Sequence, residues 1–290
     1  MDDKKVSAII PVYNSEEYIE KCLKSVIPQV DEVIIVNDCT PDNSMEIVDR
    51  YKNNRRIKIF NLKENKGPGY VRNFGAKKAK YPFLLYIDSD QILSEGWVEK
   101  AKKALLKDEK IAAVGGYRRT PRKTFSQKLM GLLRVRSFKS NPEWISEDAT
   151  LYKKDIFLEV GGFNEKLRVG ESIDLSKKMR ERGYRFKKIN IEVMHLGEPK
   201  KFIDLLKRQW RYGKYGKIEK IPSYKKFLRV LIFITPLGIL SSIPLYFYIF
   251  RQDKELSKDL SFLIKLPFGY YLFMFTHQLS FLLNLMRLTN

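Results

Sequence analysis

Residues 83–91 read FLLYIDSDQ, an apolar run that ends on two aspartates. A short apolar run bounded by polar residues is typical of a strand that is buried on both faces of a sheet. Four further runs have the same character, at residues 6–12, 32–37, 56–61 and 111–117. Because segments with helical spacing separate these runs, the sequence predicts an α/β fold with a mainly parallel sheet flanked by helices.

Polar residues follow three of the predicted strands. Asn14 follows the first strand, Asp38 the second, and Asp88-Ser89-Asp90 the fourth. One aspartate after a strand is most often a helix cap, but ligands of open sheets bind where the carboxyl ends of several strands meet. Two carboxylates as close as Asp88 and Asp90 repel each other unless a cation lies between them or one accepts a hydroxyl group. The sequence therefore predicts a polar binding site at this edge.

The charge of the chain is strongly basic. The 290 residues include 55 Lys and Arg against 34 Asp and Glu, a formal net charge of +21. Residues 117–140 hold eight Lys and Arg with no acidic residue, and residues 197–229 hold eleven with three acidic residues. Such stretches are either solvated faces or surfaces for anionic partners: nucleic acid, phosphate-bearing substrates or an anionic membrane surface.

Two uncharged segments follow the second basic stretch, at residues 230–250 and 266–286. A helix of this length spans about 30 Å, the thickness of the hydrocarbon core of a bilayer. We expect two transmembrane segments, with buried core helices or an interfacial hairpin as alternatives. The preceding Lys and Arg residues place that side in the cytoplasm. Aromatic residues among cations also suit nucleic acid, but the adjacent apolar segment favours the membrane, so no nucleic acid partner is expected.

In sequence the chain resembles the glycosyltransferases of family 2, whose fold is GT-A. The matching blocks are VSAIIPVYN at 6–14, VNDCTPDNS at 36–44, ENKGPGYVRNFGAKKA at 64–79, YIDSDQ at 86–91, GESIDLSKKMRERGYR at 170–185, VMH at 193–195 and RQWRYG at 208–213. The resemblance implies a hexosyltransferase that uses a nucleotide-diphosphate sugar of the UDP or GDP type, with Mg²⁺ or Mn²⁺, in an inverting reaction. We expect a catalytic domain over residues 1–222, facing the cytoplasm, and a membrane-associated helical hairpin over residues 223–290.

The resemblance also implies roles for individual residues. The donor would be bound by Pro11, Val12, Tyr13, Asp38, Arg72 and Asp88. The metal would be held mainly by Asp90, with Asp88 and His195. The acceptor or the leaving group would lie near Gln209, Trp210 and Arg211. A membrane-anchored enzyme on the cytosolic side implies an acceptor at the membrane, such as a lipid-linked glycan, a polysaccharide or a polyprenyl phosphate.

One block departs from the family pattern at the position of the catalytic base. The usual Glu-Asp pair reads Glu171-Ser172, and Asp174 follows on the same helical face as Glu171. Either Glu171 is the base, with Asp174 in reserve, or the acceptor is a phosphate, which is already anionic and needs no base. Ser172 also suggests a third alternative, a membrane-tethered protein that binds a nucleotide sugar without catalysis.

Overall fold

The computed structural model describes residues 4–135, 142–146, 149–167, 169–215 and 236–288. The chain divides into two compact units, the first made of Met1–Arg119 with Ser137–Gly197 and the second of Thr120–Arg136 with Glu198–Asn290. The predicted domain boundary between residues 222 and 223 lies outside the described residues.

A sheet runs through the first unit, with eight strands in the part of the chain that the structure describes. The strands are β1 Val6–Val12, β2 Glu32–Asn37, β3 Ile57–Asn61, β4 Phe83–Tyr86, β5 Gln91–Leu93, β6 Ile111–Arg119, β7 Thr150–Lys153 and β8 Arg185–His195. Their order is β3-β2-β1-β4-β7-β6-β8-β5. The first four strands are parallel, β7 is antiparallel to β4 and β6, and β5 is antiparallel to β8. The sheet is therefore mixed: among the described residues four strand pairs are parallel, including β6 with β8, and three are antiparallel.

Helices of the first unit cover both faces of this sheet, and the helix numbering runs through both units. In chain order the helices are α1 Ile19–Val26, α2 Ser44–Asp49, α3 Pro68–Lys78, α4 Trp97–Leu105, α5 Phe125–Val135, α6 Lys154–Glu159, α7 Glu171–Glu181, α8 Phe202–Tyr215, α9 Ile243–Gln252 and α10 Leu260–Leu288. Successive strand residues alternate between two buried cores, because side chains along a strand point to opposite faces. Ala8 and Ile10 pack in one core with α1 and α4, whereas Ile9 packs in the other with α3 and α7. The first unit is thus a layered α/β structure.

The second unit contains α5, α8, α9 and α10, with a 3-10 helix at Pro236–Ser242. Its core joins Leu129 of α5 and Leu205 of α8 to Leu245, Ile249 and the inner face of α10. The inner face of α10 contributes Phe262, Leu266 and Phe273. The apolar residues of these helices therefore form a core of their own.

Among the described residues, no helix has both the length and the apolar composition needed to cross a membrane. Within the described residues, the structure therefore does not support the predicted membrane-spanning helices at 230–250 and 266–286. Residues 230–235 lie outside the described residues, and the rest of that segment is divided between the 3-10 helix and α9. The second segment lies within α10, where Pro267, Thr276 and His277 interrupt the apolar sequence. Some of the apolar residues that suggested lipid contact pack in the core of the unit, namely Leu245, Ile249, Leu266 and Phe273.

Candidate active site

The turn after β4 holds the two aspartates in place. Gln91 is fully buried at the start of β5, and its Oε1 accepts a hydrogen bond of 3.2 Å from the backbone N–H of Asp88. The backbone N–H of Gln91 donates in return to the Asp88 carbonyl at 3.0 Å. The buried Ser89 donates to Ser15 Oγ at 2.8 Å. These contacts fix the backbone from which the carboxylates of Asp88 and Asp90 extend.

Asp90 and His195 come together through the pairing of β5 with β8. The antiparallel register places Gln91 opposite His195. His195 Nε2 lies 3.4 Å from Asp90 Oδ2, and the two side chains are 9% and 26% exposed. The backbone N–H of Leu196 donates to the Asp90 carbonyl at 2.8 Å, and Gly197 packs against the Asp90 carboxylate. The structure therefore brings two of the three predicted metal ligands side by side.

Arg72 joins the third predicted ligand to the predicted base. One guanidinium nitrogen of Arg72, on α3, lies 2.7 Å from Asp88 Oδ1, and the other lies 3.2 Å from Glu171 Oε1. Arg72 is buried, and its guanidinium lies 5.6 Å from the centre of the Phe163 ring. A buried charge needs partners, so the three side chains hold one another in position. Arg72 was predicted to approach the diphosphate, and that role stays a prediction.

Glu171 is the first residue of α7 and is largely buried. Gly170 precedes it with a φ of 80°, a left-handed conformation that glycine adopts without strain, so that the chain turns sharply into the helix. Ser172 is buried beside it. Asp174, the reserve base, lies 3.2 Å from Lys178 Nζ, one turn further along the helix. Glu171 is thus the carboxylate that the structure connects to the aspartate turn through Arg72.

Asp38, predicted to bind the donor, supports a neighbouring loop. Its Oδ1 accepts a hydrogen bond of 2.7 Å from the backbone N–H of Lys66, and its Oδ2 accepts one of 3.0 Å from that of Gly67. Asn65 Nδ2 donates to the Asp38 carbonyl at 3.3 Å. Asp38 is buried, and its own N–H donates to the Val12 carbonyl at 3.0 Å. The carboxylate therefore shapes the loop before α3.

The residues at the end of β1 differ in exposure. Val12 is fully buried, Pro11 is partly buried and the Tyr13 ring is 47% exposed. Asn14 has a φ of 51°, and its backbone N–H donates to Thr40 Oγ1 at 2.8 Å. The chain therefore turns at Asn14, next to a half-exposed Tyr13.

Two groups near the aspartates have raised pKa values. Burial raises the pKa of Tyr18 to about 12, with contributions from a hydrogen bond to Glu17 and from the charge of Asp90. Burial also raises the pKa of the Cys22 thiol, with further contributions from the charges of Asp90 and Asp88. Both groups therefore stay protonated at neutral pH, mainly because they are buried.

The residues at this edge fit a divalent cation. Asp90 Oδ2 and His195 Nε2 are a carboxylate oxygen and an imidazole nitrogen, both of which Mn²⁺ accepts as ligands. Mg²⁺ is usually held by one or two carboxylates together with substrate phosphates. Within the described ranges, no cluster of three or more His, Cys, Asp and Glu is arranged to hold a metal ion. The arrangement therefore fits a cation that two side chains and the phosphates of a ligand share.

The predicted acceptor-side residues lie on α8, in the second unit. Gln209 is buried, whereas Trp210 is 40% exposed. The Arg211 guanidinium lies 5.8 Å from the centre of the Tyr212 ring. Ser280 Oγ of α10 donates to the Trp210 carbonyl at 2.6 Å, so α10 supports the backbone that carries these residues.

Three residues of the site were missed from the sequence: Asn65, Gln91 and Gly197. Gln91 and Gly197 act on the aspartates through backbone and packing contacts, which no motif records. The loop at Asn65 had a detectable signal, because a glycine before a proline marks a turn into a helix, and Gly67-Pro68 has this pattern.

Comparison with known proteins gives the family. The model of glycosyl transferase family 2 matches residues 7–163, which is more than half of the chain. The chain therefore belongs to glycosyl transferase family 2, as its sequence blocks predicted. Its structure matches that of the mannosyltransferase PcManGT from Pyrobaculum calidifontis, in complex with GDP-Man and Mn²⁺, with a TM-score of 0.65 and 16% identity. That match covers 98% of this chain and 87% of the other and confirms the GT-A fold.

Two relatives come from Staphylococcus aureus. The poly(ribitol-phosphate) beta-N-acetylglucosaminyltransferase TarS is 38% identical over 103 residues, which cover 33% of this chain and 18% of TarS. The poly-beta-1,6-N-acetyl-D-glucosamine synthase is 26% identical over 224 residues, which cover 73% of this chain and 54% of the synthase. A crystal structure of TarS in complex with UDP-GlcNAc matches with a TM-score of 0.55 and 16% identity, over 98% of this chain and 92% of that one. The chain thus spans about half or less of the curated relatives' length.

Proposed function

We propose that this chain transfers a sugar from a nucleotide-diphosphate sugar, with inversion, to a hydroxyl group of a membrane-associated acceptor. The observation that carries the proposal is the acidic edge where Arg72 links Asp88 to Glu171 and where Asp90 lies beside His195. A divalent ion held by Asp90 and His195 would offset the negative charge that develops on the departing diphosphate. A bound cation would also reduce the repulsion among the three carboxylates of this edge.

The residues of the chain itself would prepare the acceptor. Glu171 would take the proton from the acceptor hydroxyl, because an alcohol is a poor nucleophile near neutral pH. Arg72 holds Glu171 Oε1 and so orients the carboxylate before the acceptor arrives. The loop that Asp38 fixes and the exposed Tyr13 ring would receive the base of the donor.

UDP-N-acetylglucosamine is the donor that we propose, with a GDP-sugar as the alternative. The names of both curated relatives include N-acetylglucosamine, and the matching TarS crystal structure contains UDP-GlcNAc. The GDP-sugar alternative is supported by the match to PcManGT with GDP-Man.

For the acceptor we propose a lipid-linked glycan or a polysaccharide at the cytoplasmic face of a membrane. The names of the curated relatives refer to polymers, and the basic stretch at residues 197–229 suits an anionic membrane surface. A polyprenyl phosphate is the second candidate. It is supported by Ser172, which stands where the family usually carries an aspartate, because a phosphate needs no base.

Donor binding and turnover test the proposal separately. We expect UDP-GlcNAc to raise the melting temperature of the chain when Mn²⁺ is present, and not when EDTA is present. We also expect slow release of labelled GlcNAc from the donor without an acceptor. Stabilisation by the donor without any release or transfer would support a nucleotide-sugar-binding protein instead. If no UDP- or GDP-sugar raises the melting temperature, that result would contradict both the sugar transferase and the nucleotide-sugar-binding protein.

A further inference from the structure

The outer face of the second unit is unusually apolar. It consists of Ile243, Phe247 and Phe250 on α9 and Leu260, Ile264 and Phe268 on α10. Phe247 is 75% exposed, and Leu260 and Ile264 are each 69% exposed. Contiguous exposed apolar patches on a folded protein mark sites of interaction rather than chance.

Helical spacing puts these residues on one side of each helix. The α9 residues recur at intervals of four and three, and the α10 residues at intervals of four, which keeps each row on one face. The opposite faces of both helices, with Leu245, Ile249 and Leu266 among them, are buried in the same core. The Tyr246 hydroxyl donates to the Leu263 carbonyl and joins the two helices. The two outer rows therefore lie on neighbouring helices that cover one core.

Charge identifies the partner that this face fits. Arg251, Lys254, Lys258 and Lys265 are all exposed along the same two helices and their connection. Two acidic residues of the connection between α9 and α10 form ion pairs with α5 or the chain before it. Asp253 lies 2.9 Å from Arg122, and Asp259 pairs with Lys128. Glu255 is the exposed acid, 77% open to solvent and 3.5 Å from Arg122. The rim of the outer face is therefore net positive.

We infer that the outer face docks on a membrane whose headgroups are anionic, with α9 and the first half of α10 lying in the plane of the interface. Amphipathic helices with aromatic and aliphatic residues on one side and cations at the edge bind in this way. A second copy of the chain fits less well, because a two-fold dimer through this face would bring one positively charged rim against another. The inference rests on the proposed membrane-associated acceptor, for which it names the docking surface.

Vesicle binding of the full-length chain, measured without any donor, tests the inference. The probes are vesicles of phosphatidylcholine alone and of phosphatidylcholine mixed with phosphatidylglycerol. We expect binding to the mixed vesicles, weakened by salt and weakened at least about tenfold in a Phe247→Gln/Phe250→Gln variant. Lys254→Glu/Lys258→Glu should weaken binding to the mixed vesicles and leave the small binding to phosphatidylcholine unchanged.

A matched control and a second readout keep the test decisive. Leu106→Gln changes a 49% exposed leucine of the first unit and should leave vesicle binding unchanged. Circular dichroism and donor hydrolysis should be the same in the Phe247→Gln/Phe250→Gln variant as in the parent. Equal vesicle binding by that variant would overturn the inference, as would a parent dimer in sedimentation equilibrium that the variant converts to monomer. If the parent chain itself does not hydrolyse the donor, that result would count against the proposed function and not against the docking surface.

Discussion

The Asp90 carboxylate packs directly against Gly197, leaving no room for a side chain there. A Cβ atom at residue 197 would lie 1.9 Å from Asp90 Oδ2, far inside any real contact distance. The backbone of the residue before it, Leu196, donates to the Asp90 carbonyl at 2.8 Å, so the main chain of the turn is held while the carboxylate is confined. Gly197 therefore sets the direction in which the carboxylate points.

Replacing this glycine should displace the carboxylate. In Gly197→Ala we expect the affinity for Mn²⁺ to fall about 10- to 100-fold, as it does when the support of a metal ligand is removed. Isothermal titration with Mn²⁺ and UDP measures the effect. Gly69→Ala is the matched control, because a Cβ at residue 69 meets no atom closer than 3.4 Å. Unchanged Mn²⁺ binding in Gly197→Ala would show that the ion does not use Asp90.

Arg72 should be required for stability as well as for activity. Arg72→Gln leaves Asp88 and Glu171 without their shared cation, and breaking a buried ion pair from one side costs about 3–5 kcal/mol. We expect a loss toward the lower end of this range in urea unfolding, because Asp88 is 33% exposed. Arg185→Gln is the control: its pair with Asp108 is exposed, and we expect a change below about 1 kcal/mol. Equal losses in both variants would refute the role of Arg72.

Glu171 should act as the general base if the acceptor is a hydroxyl group. In Glu171→Gln we then expect transfer, measured as the rate of GlcNAc incorporation into the acceptor, to slow by about 100- to 10,000-fold. Asp174→Asn should change transfer less than about tenfold, because Asp174 pairs with Lys178 on the helix. A loss in Glu171→Gln below about tenfold would instead favour a phosphate acceptor.

His277 should make the second unit sensitive to acid. Burial lowers the pKa of His277 below its ordinary value of 6.5, against the opposing effect of a hydrogen bond with the backbone of Gln209. The unfolded chain then binds a proton at His277 more readily than the folded chain does. Protonation of His277 therefore does not affect the free energy of unfolding above pH 6.5 and lowers it as the pH falls below 6.5. The midpoint of urea unfolding should therefore fall over this range in the parent and fall less in His277→Gln. Parallel pH profiles would contradict the shift.

The sequence predicted the first half of the sheet well. The bounds of β1 and β2 agree with the apolar runs at residues 6–12 and 32–37, because strands buried on both faces need nearly continuous apolar residues. The antiparallel strands β5 and β7 were not predicted. They have three and four residues, too few for a periodic pattern, and their pairing depends on distant parts of the chain.

The residues of the candidate site could be selected from the sequence, and their roles stay predictions, whereas the contacts between them could not be predicted. The aspartate turn, Glu171 and His195 could be selected from motifs, whereas the buried link through Arg72 joins residues 99 positions apart and has no local signal. The apolar segment at residues 266–286 was assigned to lipid, because composition does not distinguish a helix that packs in a protein core from one that faces hydrocarbon. His277 and Ser280 indicate the difference, since both hydrogen-bond to α8.

The pairing of β5 with β8 also has a consequence for biosynthesis. A ribosome releases Asp90 long before His195 and Gly197, so the nascent chain carries the aspartate turn without the strand that completes it. Glu171 likewise emerges after Arg72 and Asp88, so the ion pair between Arg72 and Glu171 forms later in synthesis than the one between Arg72 and Asp88 can. The cation site that we propose for Asp90 and His195 can therefore be completed only after residue 195 has left the ribosome.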